Sequence, residues 1–158
     1  MVGTSRIQTP IGYDEAMKAL ETLADLHGAK SQPRAIIFLW VDWSFQARDS
    51  EIAVRELIDR WQSAHGDCPI TAYRIDLSSQ EGEMWREVRD WLKNEGKPVD
   101  ELTYGGYGAI LWLRLGRVIV SLTYAAMPNA GYERLKKLEA VTAGAFGCPV
   151  ALTPDREL

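Results

Sequence analysis

Residues that commonly carry out chemistry are scarce in this chain. It has two cysteines, Cys68 and Cys148, and two histidines, His27 and His65. The stretch His65-Gly66-Asp67-Cys68 offers metal-binding side chains, but it supplies only half of the Cys and His set that a structural zinc site needs. Because the other Cys and His residues follow no regular spacing, the sequence predicts no metal site. No cofactor is expected either.

The two cysteines are far apart in the sequence, and each precedes a proline. No motif brings Cys68 and Cys148 together, and cytosolic proteins seldom keep disulfides. The sequence therefore favours two unrelated thiols. A disulfide between them, or a redox role for either, is the alternative.

Ser44 stands at the predicted start of a helix, where the helix dipole favours an anion or an activated nucleophile. A nucleophilic serine needs a base within hydrogen-bonding reach. His27 ends the first predicted helix and His65 ends the second, so neither is placed to serve. The simpler interpretation is that Ser44 is an N-cap.

The acidic and glycine-rich segments show no catalytic pattern. Glu81, Glu83 and Glu87 crowd one predicted helix and Asp42 stands apart from them, which indicates solvated charge rather than an acid–base pair. The stretch Gly105-Gly106-Tyr107-Gly108 does not follow a strand and open a helix, so it is no dinucleotide-binding fingerprint. Chain flexibility is its plainer interpretation, and the sequence predicts no catalytic residue.

The composition narrows the class of partner. The chain has 158 residues, 46% of them hydrophobic and 25% charged, which is typical of one globular domain with a sizeable core. A net charge of −4 disfavours nucleic acid. The nearest basic cluster, Arg134, Lys136 and Lys137, is interpreted as the solvated side of a helix.

No run approaches the roughly 18 apolar residues of a membrane span. The first ten residues, Met1 to Pro10, contain no apolar core of signal-peptide length. A cytoplasmic location with no membrane partner is therefore expected.

The hydrophobic pattern predicts alternating helices and strands. The spacing of Val54, Leu57, Ile58 and Trp61 is helical, whereas residues 34–41 form an apolar run typical of a strand covered on both faces. Helices are predicted over 13–27, between 44 and 65, over 80–94 and over 129–143, and strands over 34–41, 70–76, 108–115 and 118–124. Loops are predicted over 99–106 and from Gly144 onward. This order predicts an α/β fold with a central mixed sheet flanked by helices.

Several side chains are expected to face the core from the helices. Trp85 and Trp91 are too far apart to share one helical stripe, so only one of them is expected to face the core squarely. The other would be available to a partner. Gly28 is expected to cap the first helix. The remaining predicted contacts are Met17, Leu20, Leu23, Ala24 and His27 in the first helix, Met84, Val88 and Leu92 in the third, and Tyr132, Leu135, Leu138 and Ala140 in the last.

Three segments at the predicted strand ends carry recognisable motifs. They are Leu39-Trp40-Val41-Asp42-Trp43-Ser44-Phe45-Gln46-Ala47-Arg48, Arg74-Ile75-Asp76, and the stretch from Gly106 to Gly116. They resemble Phe-Trp-Ala-Glu-Trp-Cys-Gly-Pro-Cys-Lys, Asn-Ile-Asp and Gly-Ile-Pro-Thr-Leu-Leu-Leu-Phe-Lys-Asn-Gly of the thioredoxin-like family, in the same order. The resemblance implies a single thioredoxin-like domain over residues 1–158, with a core of about 12–142 and an irregular tail over 144–158.

The departures from the family pattern bear on function. Ser44-Phe45-Gln46-Ala47 replaces the Cys-x-x-Cys motif, and thiol–disulfide exchange needs a thiolate. Gly108 stands where the family has a cis-proline, so that loop is expected to be trans. Phe38 and Ala72 replace the family's buried aspartate and its lysine partner. These losses predict a redox-inactive domain that is not a dithiol–disulfide oxidoreductase.

The resemblance also implies a binding surface. It places Trp43, Phe45 and Tyr107 around the shallow groove where thioredoxins hold an extended peptide, with Ser44 and Gly108 beside them. Aromatic anchors dominate many binding energies, so an unknown protein or peptide is the expected partner. The alternative is that Trp43 and Phe45 merely pack on adjacent loops.

Two other functions stay open. Residues 77–107 are longer than the matching part of a plain thioredoxin and could carry an enzyme of other chemistry, which shifted pKa values in a cleft would indicate. The chain could also self-associate, which a contiguous exposed apolar patch would indicate.

Overall fold

The fold is built on a mixed, five-stranded sheet in the order β1-β3-β2-β4-β5. A computed structural model describes residues 17–79, 82–103, 108–128 and 131–148. The strands are Lys18–Ala19 (β1), Arg34–Trp40 (β2), Thr71–Asp76 (β3), Ile110–Arg114 (β4) and Arg117–Leu122 (β5). The helices are Leu23–Lys30 (α1), Phe45–Ala64 (α2), Glu83–Asn94 (α3), Val99–Thr103 (α4) and Gly131–Phe146 (α5), with a 3₁₀ turn at Tyr124–Ala126.

The central strand β2 sets the register of the sheet. It pairs in parallel with β3, where Phe38 lies opposite Arg74, and antiparallel with β4, where Phe38 lies opposite Ile110. The strands β1 and β3 are parallel, and β4 and β5 form an antiparallel hairpin. The predicted α/β class and the mixed sheet flanked by helices are therefore confirmed.

Two apolar layers cover the sheet, one on each face. Alternate residues of β2 supply both layers, with Ile36 and Phe38 on one face and Ile37 and Leu39 on the other. The first layer packs beneath α2 and α5, and the second beneath α1, α3 and α4. The predicted contacts of α2 are confirmed, since Val54, Leu57, Ile58 and Trp61 are all buried.

Of the helix predicted over 13–27, the described residues begin at Met17, and the prediction is correct only from Leu23 onward. Lys18–Ala19 is a short strand, and the helix begins only after Thr22. Thr22 and Asp25 form a reciprocal capping box, with hydrogen bonds of 3.1 Å from each backbone N–H to the other's side chain. The capping box satisfies the backbone N–H groups of Thr22 and Asp25 at the helix start. The helix therefore begins here, although the helical spacing of apolar residues extends further upstream in the sequence.

The buried positions of α1 also differ from the prediction. Leu26 and Ala29 are buried, whereas Ala24 and His27 are exposed. Gly28 lies inside the helix, whose C-cap is Ser31. The face of α1 that packs on the sheet is therefore the one that carries Leu26 and Ala29.

Trp85 and Trp91 are both buried, at 9% and 7% exposure, which corrects the expectation that only one faces the core. The two rings project about 120° apart around α3. The Lys30 ammonium lies 4.7 Å from the centre of the Trp91 ring, and the Arg89 guanidinium lies 5.0 Å from that of Trp85. Long basic side chains therefore cover the part of each ring that the sheet does not.

Three further predictions about the second half of the chain need correction. Val99–Thr103 is a short helix within the predicted loop over 99–106. The last helix continues to Phe146, so an irregular tail does not begin at Gly144. Leu135 and Leu138 are buried as predicted, but Tyr132 and Ala140 are exposed, because the buried stripe of α5 continues through Thr142 and Phe146.

Cys68 and Cys148 form a disulfide, contrary to the expectation of two unrelated thiols. Cys68 lies in the turn after α2, and Cys148 follows the end of α5. The two helices pack on the same face of the sheet, so their C-terminal ends meet although 80 residues separate the cysteines. Such a meeting depends on tertiary packing, which the spacing of the cysteines does not reveal.

Candidate functional site

The candidate site lies where β2 leaves the sheet and α2 begins. Ser44 is the N-cap of α2, and its hydroxyl accepts a hydrogen bond of 3.0 Å from the backbone N–H of Ala47. Ser44 is 5% exposed and Ala47 is fully buried. The interpretation of Ser44 as an N-cap is confirmed.

The two histidines lie at the far end of α2 and on α1. His65 is the C-cap of α2, so the whole length of the helix, about 30 Å, separates it from Ser44. His27 is an exposed residue of α1. The geometry supplies no His–Ser pair for nucleophilic chemistry.

The two aromatic side chains that flank Ser44 are largely exposed. Trp43 is 52% exposed and Phe45 is 68% exposed. Phe45 meets Tyr124 edge-on, with ring centres 6.4 Å apart. More than half of the surface of each residue thus remains open to solvent. The alternative that Trp43 and Phe45 merely pack on adjacent loops does not account for this exposure.

Gly108 packs directly against the first turns of α2. Its φ is +65°, in the left-handed region. A Cβ at this position would come within 2.7 Å of Ser50 Oγ and 3.1 Å of Ala47 Cα. The segment before β4 therefore lies beside the start of α2, as the resemblance implied. Tyr107, and with it the peptide bond that precedes Gly108, lies outside the described residues.

Backbone and side-chain hydrogen bonds tie together the loops that follow β2 and β3. The N–H of Asp42 donates to Ser78 Oγ at 2.8 Å, and the N–H of Ser78 donates to Asp76 Oδ1 at 2.9 Å. Arg48 donates to the carbonyl of Asp42 at 3.3 Å. These contacts join the backbone beside Trp43 to the loop after β3 and to the first turn of α2.

A polar network beneath Phe45 joins α2 to α5. Asp49 Oδ2 accepts hydrogen bonds from the Tyr124 hydroxyl at 2.8 Å and from Arg134 Nη1 at 2.9 Å. Arg134 also donates from Nε to the carbonyl of Pro128 at 3.0 Å. The pKa of Asp49 is lowered, mainly by the hydrogen bond from Tyr124 and further by that from Arg134. The hydrogen bond between Tyr124 and Asp49 also raises the pKa of Tyr124.

This network was missed by sequence reasoning. Arg134 is buried, at 7% exposure, whereas the sequence placed it on a solvated face. Its partner Asp49 lies 85 residues away, so no local pattern signals the pair. The network fixes the 3₁₀ turn that carries Tyr124, and through it the edge of the Phe45 ring.

The positions of the family's proton-transfer pair are apolar and buried. Phe38 is fully buried and Ala72 is 7% exposed, both in the layer beneath α2 and α5. Neither side chain can hold or move a proton. Within the part of the chain that the structure describes, the four groups with displaced pKa values, Asp25, Asp49, His65 and Tyr124, all lie outside the inserted segment 77–107.

Among the described residues, no group of three His, Cys, Asp or Glu side chains is arranged to hold a metal ion. Within the same residues, no helix is both long and apolar enough to cross a membrane.

No protein-family profile matches the sequence, and no curated protein is significantly similar to it. Several solved structures share its fold. A thioredoxin from Fasciola hepatica is 12% identical, with a TM-score of 0.54 over 82% of this chain and 99% of that one. A thioredoxin from Malassezia sympodialis is 11% identical, with a TM-score of 0.54 over 82% and 90%.

A third similar structure comes from work on the thiol resolving mechanism of a yeast mitochondrial 1-Cys peroxiredoxin via glutathione/thioredoxin systems. It is 13% identical, with a TM-score of 0.54 over 84% of this chain and 98% of that one. At such low sequence identities, the structural similarity shows only that the fold is thioredoxin-like.

Proposed function

We propose that this chain, whose fold is thioredoxin-like, is a protein- or peptide-binding module that does not perform dithiol–disulfide exchange at the end of β2. The observation that carries the proposal is the exposure of Trp43 and Phe45, at 52% and 68%, on either side of a helix cap that holds no thiol.

The loss of exchange follows from the side chains at the start of α2. Exchange begins when a thiolate attacks a disulfide sulfur, and a second thiol then resolves the mixed disulfide. Here the first position is Ser44, whose hydroxyl is engaged as an N-cap, and the second is Ala47, which is buried and has no reactive group. The apolar residues Phe38 and Ala72 remove the proton-transfer pair as well.

The binding role is supported by the shape and chemistry of the same end of the molecule. Large aromatic side chains bury much apolar area at a small cost in conformational entropy, so they serve as anchors. Trp43 stands on a loop that hydrogen bonds tie to the end of β3, and Phe45 rests against Tyr124. A partner would thus meet a surface that is already ordered, which reduces the entropic cost of association.

Self-association is a second candidate for the same surface. Ile52 is 61% exposed and lies two helical turns after Phe45, on the same side of α2. Phe45 and Ile52 are apolar, with Arg48 and Asp49 between them on the same side of the helix, and a second copy of the chain could cover this ridge. The enzymatic alternative on residues 77–107 gains no comparable observation from the described residues of that segment, 77–79 and 82–103.

Selection from a random peptide library displayed on phage tests the proposal. Peptides selected on the wild-type chain are measured against the Trp43→Ala/Phe45→Ala variant and against Ile119→Ala, an exposed apolar residue of β5 (45% exposed) that serves as the control. We expect the double variant to lose about tenfold or more in affinity and the control to keep it. Equal binding to all three chains, or no selected peptide, contradicts the proposal. Light scattering on the same samples reports whether the ridge instead holds a second copy.

A further inference from the structure

The Cys68–Cys148 disulfide lies at the pole of the molecule opposite the Trp43 surface. Ser44 begins α2 and Cys68 follows its end, so about 30 Å of helix separates the two sites. The Cα atoms of the two cysteines are 6.4 Å apart, and each cysteine is 7% exposed. The bond connects the turn after α2 to the C-terminal end of α5.

Cys68 is anchored firmly in the core. Its N–H donates to the carbonyl of His65 at 3.0 Å, and its carbonyl accepts a hydrogen bond of 2.9 Å from Trp61 Nε1. The Trp61 ring is 1% exposed and stacks on the His65 imidazole, with ring centres 3.7 Å apart. This half of the disulfide therefore belongs to the packed layer beneath α2 and α5.

Cys148 lies just beyond the end of its helix. It follows Gly147, whose φ of +68° ends the helix, and its N–H donates to the carbonyl of Ala143 at 3.0 Å. The final turn of a helix opens more readily than its middle, because fewer contacts must break. Ala145 and Phe146 are buried, and the covalent bond to Cys68 adds a link that does not break when the last turn opens.

We propose that the Cys68–Cys148 disulfide is a redox-controlled latch on the C-terminal end of α5. In the oxidised chain the latch holds that end against the turn after α2. In the reduced chain the end of α5 frays, while the rest of the fold and the Trp43 surface keep their structure.

The chemistry of opening is thiol–disulfide exchange with an external dithiol. When the last turn of α5 opens, a thiolate of the dithiol attacks the Cys148 sulfur and releases the Cys68 thiolate. The second thiol of the reagent then displaces Cys148, so the reagent becomes a disulfide and is oxidised. Each cysteine thiolate then takes up a proton, so Cys68 and Cys148 are both reduced to thiols.

Backbone ¹⁵N relaxation on the full-length chain tests the latch, with and without dithiothreitol. We expect the heteronuclear NOE of Ala145 to Cys148 to fall on reduction, with chemical-shift changes confined to residues 61–70 and 141–148. Amides of Trp43 to Ser50 should not move. A Cys148→Ser variant should show the reduced pattern with and without dithiothreitol, and Cys148→Ala serves if that variant does not fold.

Three results overturn the latch. An intact mass with two free thiols after incubation with oxidised glutathione means that the bond does not form. An unchanged NOE after reduction means that packing alone holds the end of α5. Loss of dispersion across the whole spectrum means that the bond secures the entire fold. None of these results depends on whether Trp43 and Phe45 bind a partner.

Discussion

Ser44 contributes to the structure as a cap of α2, and its removal should be measurable as a loss of stability. The hydroxyl satisfies the N–H of Ala47, one of the free donors at the helix start. We expect Ser44→Ala to lower the free energy of unfolding by about 1 kcal/mol. The control is Ser63→Ala, because Ser63 is exposed and bonds only back to the carbonyl of Asp59 in its own helix. Equal urea midpoints for the two variants would contradict the capping role.

Asp49 gives the fold a dependence on pH. Because hydrogen bonds from Tyr124 and Arg134 lower its pKa in the folded state, the carboxylate stabilises the fold above its unfolded pKa of about 3.9. That stabilisation is lost as the pH falls through the lower, folded pKa. We expect Asp49→Asn to cost roughly 1 kcal/mol near neutral pH, since the group is partly exposed, and progressively less in acid.

Urea unfolding at a series of pH values checks this expectation, with the exposed Asp59→Asn as the control. A deficit of Asp49→Asn that stays constant from neutral pH into strong acid would show that the charge of Asp49 is not what stabilises the network.

At the scale of elements, the contact between Gly108 and α2 fixes how closely the two loops of the candidate site approach. A Cβ would meet Ser50 and Ala47, and the φ of +65° is strained for any residue with a side chain. We expect Gly108→Ala to destabilise the chain by about 2 kcal/mol or more, as measured by thermal or urea unfolding. Gly144→Ala is the matched control, because Gly144 lies within α5 with open space around it and alanine is the better helix former there. A Gly108→Ala chain as stable as the wild type would contradict the close approach.

The elements that sequence reasoning predicted correctly are those with a strong local signal. A helix buries residues three or four positions apart, which is the spacing of Val54, Leu57, Ile58 and Trp61. A strand covered on both faces buries consecutive residues, which is the pattern of β2. The first helix was misplaced because the same periodicity extends upstream of Thr22, and the capping box at Thr22 and Asp25 decided the true start.

The tertiary features could not be read from local patterns. The hydrogen bond between Asp49 and Arg134 and the disulfide each join residues at least 80 positions apart in the sequence. Both contacts therefore depend on how α2 and α5 pack on the sheet. The motif around Ser44 did place the end of β2 and the start of α2 where the structure has them, whereas a binding role for this end of the molecule stays a prediction. The exposure of Trp43 and Phe45 could not be predicted from the sequence, because it depends on which distant segments pack against the start of α2.

At the scale of the whole molecule, the disulfide should stabilise the fold by restricting the unfolded chain. Closure of a loop of this length is expected to contribute about 4.5 kcal/mol in the chain-entropy description. Urea unfolding with and without dithiothreitol measures this contribution, and a Cys68→Ser/Cys148→Ser variant should be insensitive to the reductant. A wild-type chain whose midpoint ignores the reductant would contradict the prediction.

The cytoplasmic location inferred from the sequence stays a prediction, and the disulfide weighs against a constantly reducing compartment. The molecule thus has two ends with different chemistry. One presents Trp43 and Phe45 beside a helix cap without thiols, and the other holds the only cysteines of the sequence.

The measurement that most directly tests the central claim is reduction of insulin disulfides with dithiothreitol as electron donor. The wild-type chain is compared with a Ser44→Cys/Ala47→Cys double variant and with Cys68→Ser/Cys148→Ser. We expect the wild type to match the background rate and the double variant at the start of α2 to exceed it, because that variant restores a dithiol at the helix N-terminus. Insulin reduction by the wild type that disappears in Cys68→Ser/Cys148→Ser would contradict the claim, since the chain would then exchange disulfides through its other pole.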